Sequence, residues 1–121
     1  MARKKSSNNE PALALMQEIV SSESLILLIQ QLNKDLLLSG VEHQFSESLT
    51  PAELINGLNG LLESFIRDDF QGFLNFLYRV DIPESAVQTS GSSGMTEYLQ
   101  KCSFLVLKRE WKKVWFRNKS R

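Results

Sequence analysis

Apolar residues recur at three- and four-residue steps along most of the chain, which is the spacing of one face of an α-helix. Near the amino end this pattern covers residues 11–39 and is interrupted by a cluster of serines at positions 21, 22 and 24. Serine is a favourable helix cap, so the cluster either starts a second helix or lies inside one long helix. The pattern therefore predicts one helix or two, ending near Gly40, and then a connector over residues 41–49.

The next helix begins at the clearest local signal in the chain, the tetrapeptide Thr-Pro-Ala-Glu at positions 50–53. Thr50 can cap the helix, proline suits its first turn, and Glu53 can return a hydrogen bond to the cap. The broad apolar face that follows contains Gly57 and Gly60, each of which costs about 1 kcal/mol relative to alanine inside a helix. Two glycines three residues apart indicate a close helical neighbour at this point.

A phenylalanine-rich helix is predicted after residue 67, either as a new helix capped by Asp68 or Asp69 or as a bent continuation of the previous one. It ends at residues 81–84, because Pro83 disfavours helical backbone angles at Ile82 and begins a short new turn. Residues 90–94, Ser-Gly-Ser-Ser-Gly, are typical of a flexible linker. The last helix follows from residue 95 or 96.

This last helix changes the character of its apolar face partway along its length. Up to residue 106 the face is apolar, and Arg109, Lys113 and Arg117 then continue it. Their charges must reach water or meet carboxylates, and the acids at the two ends of the phenylalanine-rich helix are the candidates. We therefore predict a polar seam between these two helices, formed by Asp68, Asp69, Arg79, Asp81, Arg109 and Lys113.

The polar seam admits two interpretations. Ion pairs that fix the register of the two helices are the simpler one, and a site for an anionic ligand or an acidic partner is the other. Catalysis is disfavoured, because carboxylates beside arginine occur in many ion-pair networks that carry out no chemistry.

A second candidate site combines basic and aromatic residues near the end of the last helix. Its members are Lys108, Trp111, Lys112, Trp115 and Arg117. Such a stripe can pack in a core or an oligomer, bind a protein partner, stack on nucleic-acid bases or lie at a membrane interface. The sequence does not show whether the two tryptophans are buried or exposed.

The length and composition of the chain are those of a folded single domain. It has 121 residues, of which 42% are hydrophobic and 23% are charged. The formal net charge of zero conceals a division along the sequence. The first five residues carry three basic groups, and residues 108–121 carry seven basic groups and one acid, whereas the stretch between them carries four basic groups and thirteen acids. This division favours attraction between an acidic body and basic ends, with polyanion binding as the alternative.

The residue types that catalysis or metal binding requires do not form a recognisable set. The single cysteine, Cys102, lies on an apolar helix face and predicts a buried thiol, while His43 with Glu42 and Glu47 falls short of a metal-ligand set. A phosphate-binding glycine loop and a serine-histidine-acid set are missing too. We therefore expect no enzyme, metal or cofactor. We also expect a cytoplasmic protein without a transmembrane segment, because no apolar run approaches ~20 residues and no secretory signal is evident.

Asp69-Phe70 together with residues 74–84, LNFLYRVDIPE, resembles a family of small bacterial all-helical proteins of unassigned function. Proteins of that kind also end in a helix with Arg, Lys and Arg at four-residue steps, as at Arg109, Lys113 and Arg117. The resemblance covers about residues 50–117, while the two tryptophans and the Gly/Ser linker depart from the pattern. It implies an all-helical fold and supplies no catalytic residue, cofactor or substrate.

Together these features predict an all-α protein, a compact bundle of four to six helices over residues 11–117, with disordered polar tails at residues 1–10 and 118–121. The predicted core consists of Leu28, Leu32, Leu54, Leu58, Leu61, Phe65, Phe73, Leu74, Leu77, Tyr78, Leu99 and Val106. The favoured function is a non-enzymatic interaction or accessory protein whose partner is a protein. The alternative is a binder of nucleic acid or anionic membrane through the basic C-terminal helix. The sequence indicates neither the identity of a partner nor an oligomeric state.

Overall fold

Five α-helices and one 3₁₀ helix form the computed structural model, which describes residues 10–18, 22–88 and 94–119. In chain order they are α1 (Glu10–Glu18), α2 (Ser22–Leu38), α3 (Pro51–Asp68), α4 (Phe70–Val80), the 3₁₀ helix (Glu84–Val87) and α5 (Met95–Lys119). No strand occurs in these ranges, so the predicted all-α bundle is confirmed. Within residues 11–39 the structure describes two helical segments, α1 and α2, and residues 19–21 between them lie outside the described residues.

Some predicted segments fall at or beyond the edges of the described ranges. Ser21, the linker residues 90–93 and the tail positions 1–9 and 120–121 lie outside the described residues. Glu10 belongs to α1, and α5 continues through Asn118 and Lys119, three positions predicted to belong to the tails.

Local sequence signals set the boundaries of α3 and α4. Thr50 and Glu53 form the predicted capping box, in which each side chain bonds the other residue's backbone N–H, at 3.2 and 2.9 Å. Asp69 then caps α4 by accepting a hydrogen bond from the backbone N–H of Gly72. At the other end of α4, Asp81 adopts a left-handed conformation with φ 80°, which ends the helix and turns the chain towards Pro83.

The core lies around α5, which packs against all four other α-helices. Most of the predicted core residues are buried in it, and Leu61 and Leu74 are half-buried against it. Tyr78 was predicted to be part of the core, which is wrong, because 84% of its surface is exposed. The buried face of α4 is formed by Phe73, Phe76, Leu77 and Val80. Tyr78 directly follows Leu77, so its side chain leaves the helix about 100° away from that of Leu77 and lies outside this face.

The two glycines of α3 have different surroundings. A Cβ atom at Gly57 would lie 3.0 Å from the ring of Phe45, whereas nothing lies within 4 Å of a Cβ atom at Gly60. The close neighbour is therefore a side chain of the connector, Phe45, and the expectation of a closely packed helix was wrong. Asn33 holds the connector there, since its side-chain amide exchanges hydrogen bonds of 2.8 and 2.9 Å with the Phe45 backbone.

Candidate functional site

A cluster of three ionisable side chains lies between α2 and the second half of α5. Asp35 and Glu110 are 3% and 0% exposed, and Lys113 is half-buried. The Lys113 Nζ atom lies 2.7 Å from Asp35 Oδ2 and 3.5 Å from Glu110 Oε1, and it also donates to the backbone carbonyl of Arg79 at 3.2 Å. The lysine thereby connects α2, α4 and α5.

The position of Glu110 favours the neutral form of its carboxyl group. Burial, followed by its interaction with the Asp35 carboxyl group, raises the pKa of Glu110 to about 9, against a smaller opposing effect of Lys113. Neither of its oxygens has a hydrogen-bond partner among the described residues, so an ionised Glu110 would be a buried charge without hydrogen bonds. A neutral Glu110 leaves Lys113 to pair with Asp35 at 2.7 Å.

Two further contacts extend this cluster in both directions along α5. Arg117 Nη1 donates to Gln31 Oε1 at 2.6 Å, one turn further along α5. One turn back, Arg109 Nη2 donates to Asp81 Oδ2 at 2.8 Å, and this contact lowers the pKa of the exposed Asp81 carboxyl. The basic side chains at four-residue steps therefore each bond a different part of the fold.

The structure brings together only some residues of the predicted polar seam. Asp81, Arg109 and Lys113 do lie at the contact of α4 with α5, but Arg79 contributes its carbonyl oxygen while its side chain is exposed. The expectation that Asp68 and Asp69 face the basic residues of α5 was wrong. Asp68 lies 3.4 Å from Arg67 on the surface, and the side chain of Asp69 is used to cap α4.

The partners that sequence reasoning missed are Gln31, Asp35 and Glu110. A signal for the acids was present, because Asp35 lies three residues after the buried Leu32, and Glu110 lies four residues after the buried Val106. Each acid thus occupies a position of its helix's apolar face. That the two positions meet, 75 residues apart in the chain, depends on how α2 packs against α5.

The basic and aromatic residues of the second candidate site separate into two groups. Trp111 is half-buried and packs against the core, whereas Trp115 and the unpredicted Phe116 are 46% and 58% exposed. The rings of the latter two meet edge to face with centroids 5.1 Å apart. Lys108 and Lys112 are exposed as well, and the Lys108 ammonium lies 5.7 Å from the centroid of the Phe104 ring.

The remaining candidate groups have ordinary structural surroundings. Cys102 is fully buried, as predicted, and burial raises the pKa of its thiol to about 11, which disfavours the reactive thiolate. His43 is exposed, and its ring packs edge-on against Phe45. No group of three potential metal ligands occurs within residues 10–18, 22–88 and 94–119.

Comparisons with known proteins identified no similar protein. No protein-family model, curated protein or solved structure matches the chain. Among the described helices, none combines the length and the apolar character that crossing a bilayer requires.

Proposed function

We propose that this protein is a non-enzymatic interaction protein that binds a protein partner through the outer face of the second half of α5. We name this surface the basic–aromatic face, and it consists of Lys108, Lys112, Trp115 and Phe116. The observation that carries the proposal is the exposure of two adjacent aromatic side chains, at 46% and 58%. Large aromatic residues are enriched among the residues that contribute most to protein–protein binding.

The spacing of the four residues places them on one side of the helix. Steps of three and four residues keep Lys108, Lys112 and Trp115 within about 60° of one another, and Phe116 adjoins them. The opposite side of α5 is already packed against the other helices. The two aromatic rings form one apolar area and the lysines flank it, so a partner with apolar and acidic groups fits this face.

The non-enzymatic part of the proposal is supported by the burial of the most unusual titratable group. Glu110 is inaccessible to solvent and Asp35 is 3% exposed, so a substrate could not reach their carboxyl groups in this conformation. Their bonding to Lys113 instead joins helices. A cytoplasmic location and a bacterial origin stay predictions from the sequence.

A second candidate function is binding of nucleic acid or an anionic membrane, and the exposure of Lys108 and Lys112 beside aromatic rings favours it. The polyanion affinity of such a surface grows with the number of cations that reach phosphates. Three nearby cations, Arg109, Lys113 and Arg117, already bond groups within the fold. A protein partner is therefore the favoured one.

Site-specific photo-crosslinking in the native cells tests the proposal. A photoreactive benzoylphenylalanine replaces Phe116 in one chain and Tyr78 in a control chain, since Tyr78 is an exposed aromatic residue on α4. We expect a discrete protein adduct from position 116 alone. The Trp115→Ala change in the same chain should reduce that adduct at least fivefold while the circular dichroism spectrum is unchanged.

Two results would contradict the proposal. Equal adducts from positions 116 and 78 would show that the crosslinking is not specific to the face. An adduct that persists at full yield after Trp115→Ala would show that Trp115 does not contribute the binding assigned to it. Binding to anionic vesicles or single-stranded RNA that is lost in Lys108→Ala/Lys112→Ala, without any protein adduct, would establish the second candidate function instead.

A further inference from the structure

A small pocket adjoins the basic–aromatic face, between α5 and the segment that follows α4. Its volume is about 210 Å³. Ile82, Ala86 and Leu105 supply apolar lining, and Lys108, Arg109 and Lys112 line the side formed by α5. Sites for whole small molecules generally span about 300–1,000 Å³, so this pocket is of a size for one side chain of a larger ligand.

The charge around the pocket is predominantly positive. Among the described residues of its lining, Asp81 is the one carboxylate, and Arg109 already pairs with it at 2.8 Å. Lys112 has no hydrogen-bond or ion-pair partner among the described residues, and Lys108 contacts the Phe104 ring from above. Two lysines are therefore available to an anionic ligand, and the arginine retains N–H donors beyond the one that Asp81 accepts.

We propose that this pocket binds an acidic segment of the partner protein, with one aliphatic side chain on the apolar lining and neighbouring carboxylates on Lys108 and Lys112. This inference rests on the proposed function and specifies the chemistry of the partner. Carboxylates complement the two lysines, and an aliphatic side chain complements the surface of Ile82 and Leu105.

A peptide fits these features better than a polynucleotide or a membrane surface does. A sugar–phosphate backbone presents no apolar side chain that could cover the apolar lining, and the described residues of the lining include no aromatic ring on which a base could stack. A membrane presents a broad surface, whereas this site is a small concavity. The small size of the pocket and its mixed lining therefore favour a side chain of a protein.

Asp81 offers a test of the charge argument. Its carboxylate holds Arg109 and repels an incoming acid, so Asp81→Asn should strengthen binding of an acidic peptide about threefold or more. Asparagine tolerates the left-handed conformation that Asp81 adopts, so the end of α4 should be retained. A role of Asp81 limited to holding the helices together would give no such gain.

The experiment measures binding of a fluorescein-labelled peptide, acetyl-Glu-Asp-Leu-Asp-Glu-amide, to the full chain by fluorescence anisotropy. We expect saturable binding that weakens at least tenfold in Lys108→Ala/Lys112→Ala. The matched control Lys34→Ala/Lys101→Ala removes the same charge from exposed positions outside the pocket and should change the affinity less than twofold. Filling the pocket by Ala86→Phe should weaken binding at least fivefold, with folding checked by circular dichroism.

The outcomes separate this inference from the proposed function. Equal affinity for a peptide with alanine in place of its leucine, or equal effects of the two lysine pairs, would overturn the pocket proposal. A protein adduct at position 116 that survives Ala86→Phe would also overturn it, while leaving the basic–aromatic face as the interaction surface. Displacement of the peptide by single-stranded RNA or phosphatidylglycerol vesicles more effectively than by unlabelled peptide would assign the pocket to polyanions and overturn it.

Discussion

Glu110 lies in the sequence between Lys108-Arg109 and Lys112-Lys113, neighbours that would be expected to keep its carboxyl group ionised. In the fold it is fully buried beside Asp35, and its pKa rises to about 9. Of those four basic side chains, only Lys113 forms an ion contact with it among the described residues. The pKa of Glu110 is therefore set by burial of its side chain against α2 rather than by the basic residues adjacent to it in the sequence.

Replacing Glu110 by glutamine should stabilise the protein above neutral pH. A raised pKa means that the folded chain keeps a proton that the unfolded chain, with a pKa near 4.5, has released. The free energy of unfolding of the natural chain should consequently fall as pH rises from about 4.5 to about 9. The Glu110→Gln change should remove much of this slope and raise stability at pH 8 by about 1–3 kcal/mol.

Urea unfolding followed by circular dichroism at pH 5, 7 and 8.5 measures this effect. The Glu42→Gln change provides the control, because Glu42 is exposed in the connector, and it should leave the slope as it is in the natural chain. A Glu110→Gln chain that keeps the full slope would show that another group causes it.

The two tryptophans should differ in what they contribute to stability. Trp111 packs against the core, so Trp111→Ala should lower the free energy of unfolding by about 2 kcal/mol or more. Trp115 is 46% exposed, so Trp115→Ala should change it by less than about 0.5 kcal/mol. In single-tryptophan chains, the fluorescence of Trp111 should lie at shorter wavelength than that of Trp115. Equal losses of stability would contradict this division between core and surface.

At the level of the elements, both ends of α4 are set by local hydrogen bonds. The carboxylate of Asp69 caps α4 by accepting from the N–H of Gly72, and it fills the space where a Cβ atom of residue 72 would lie. In α3, by contrast, a Cβ atom at Gly60 would have no neighbour within 4 Å. Gly72 and Gly60 therefore differ in what an alanine side chain would meet, although helix propensity treats the two positions alike.

Alanine substitutions at these glycines should have opposite effects. Gly60→Ala should stabilise the protein by about 0.5–1 kcal/mol, because it improves helix propensity and meets no neighbour. Gly72→Ala should destabilise it by about 1 kcal/mol, because the new methyl group displaces the capping carboxylate. Thermal unfolding of the two variants measures the difference, and a stabilising Gly72→Ala would show that the cap adapts without loss.

At the scale of the whole molecule, α5 closes the bundle. It contacts every other α-helix, and its second half supplies the partners of Gln31, Asp35 and Asp81. The contacts with α2 join residues 78 and 86 positions apart in the chain. The position of α2 in the bundle therefore depends on its contacts with α5, which lies far from it in the sequence.

A chain ending at Leu107 should therefore lose cooperative unfolding. Truncation removes the lysine that pairs with Asp35, and breaking a buried ion pair in this way costs about 3–5 kcal/mol even before the lost apolar contacts are counted. A control chain ending at Asn118 keeps Lys113 and Arg117 and should unfold cooperatively within a few degrees of the full chain. Differential scanning calorimetry distinguishes the two, and a cooperative transition in the shorter chain would contradict the closing role of α5.

Much of the fold could be predicted from particular residues. The capping box at Thr50, the cap at Asp69 and the helix end at Asp81 depend on contacts within a few residues, which the sequence displays directly. Tyr78 was misplaced because it lies at the edge of the broad apolar face of α4, about 100° around the helix from Leu77. Periodicity identifies the side of a helix that faces the core, but it does not show how far around the helix burial extends.

The sequence by itself determined the helices and most of their buried faces, because hydrophobic spacing and caps act over one or two turns. Only the tertiary structure decided which charges meet. It paired Lys113 with Asp35 instead of the acids at the start of α4, buried Glu110 as a neutral acid, and turned Trp111 inward and Trp115 outward. These outcomes depend on the packing of α5 against α2 and α4, which brings together residues that no local pattern connects.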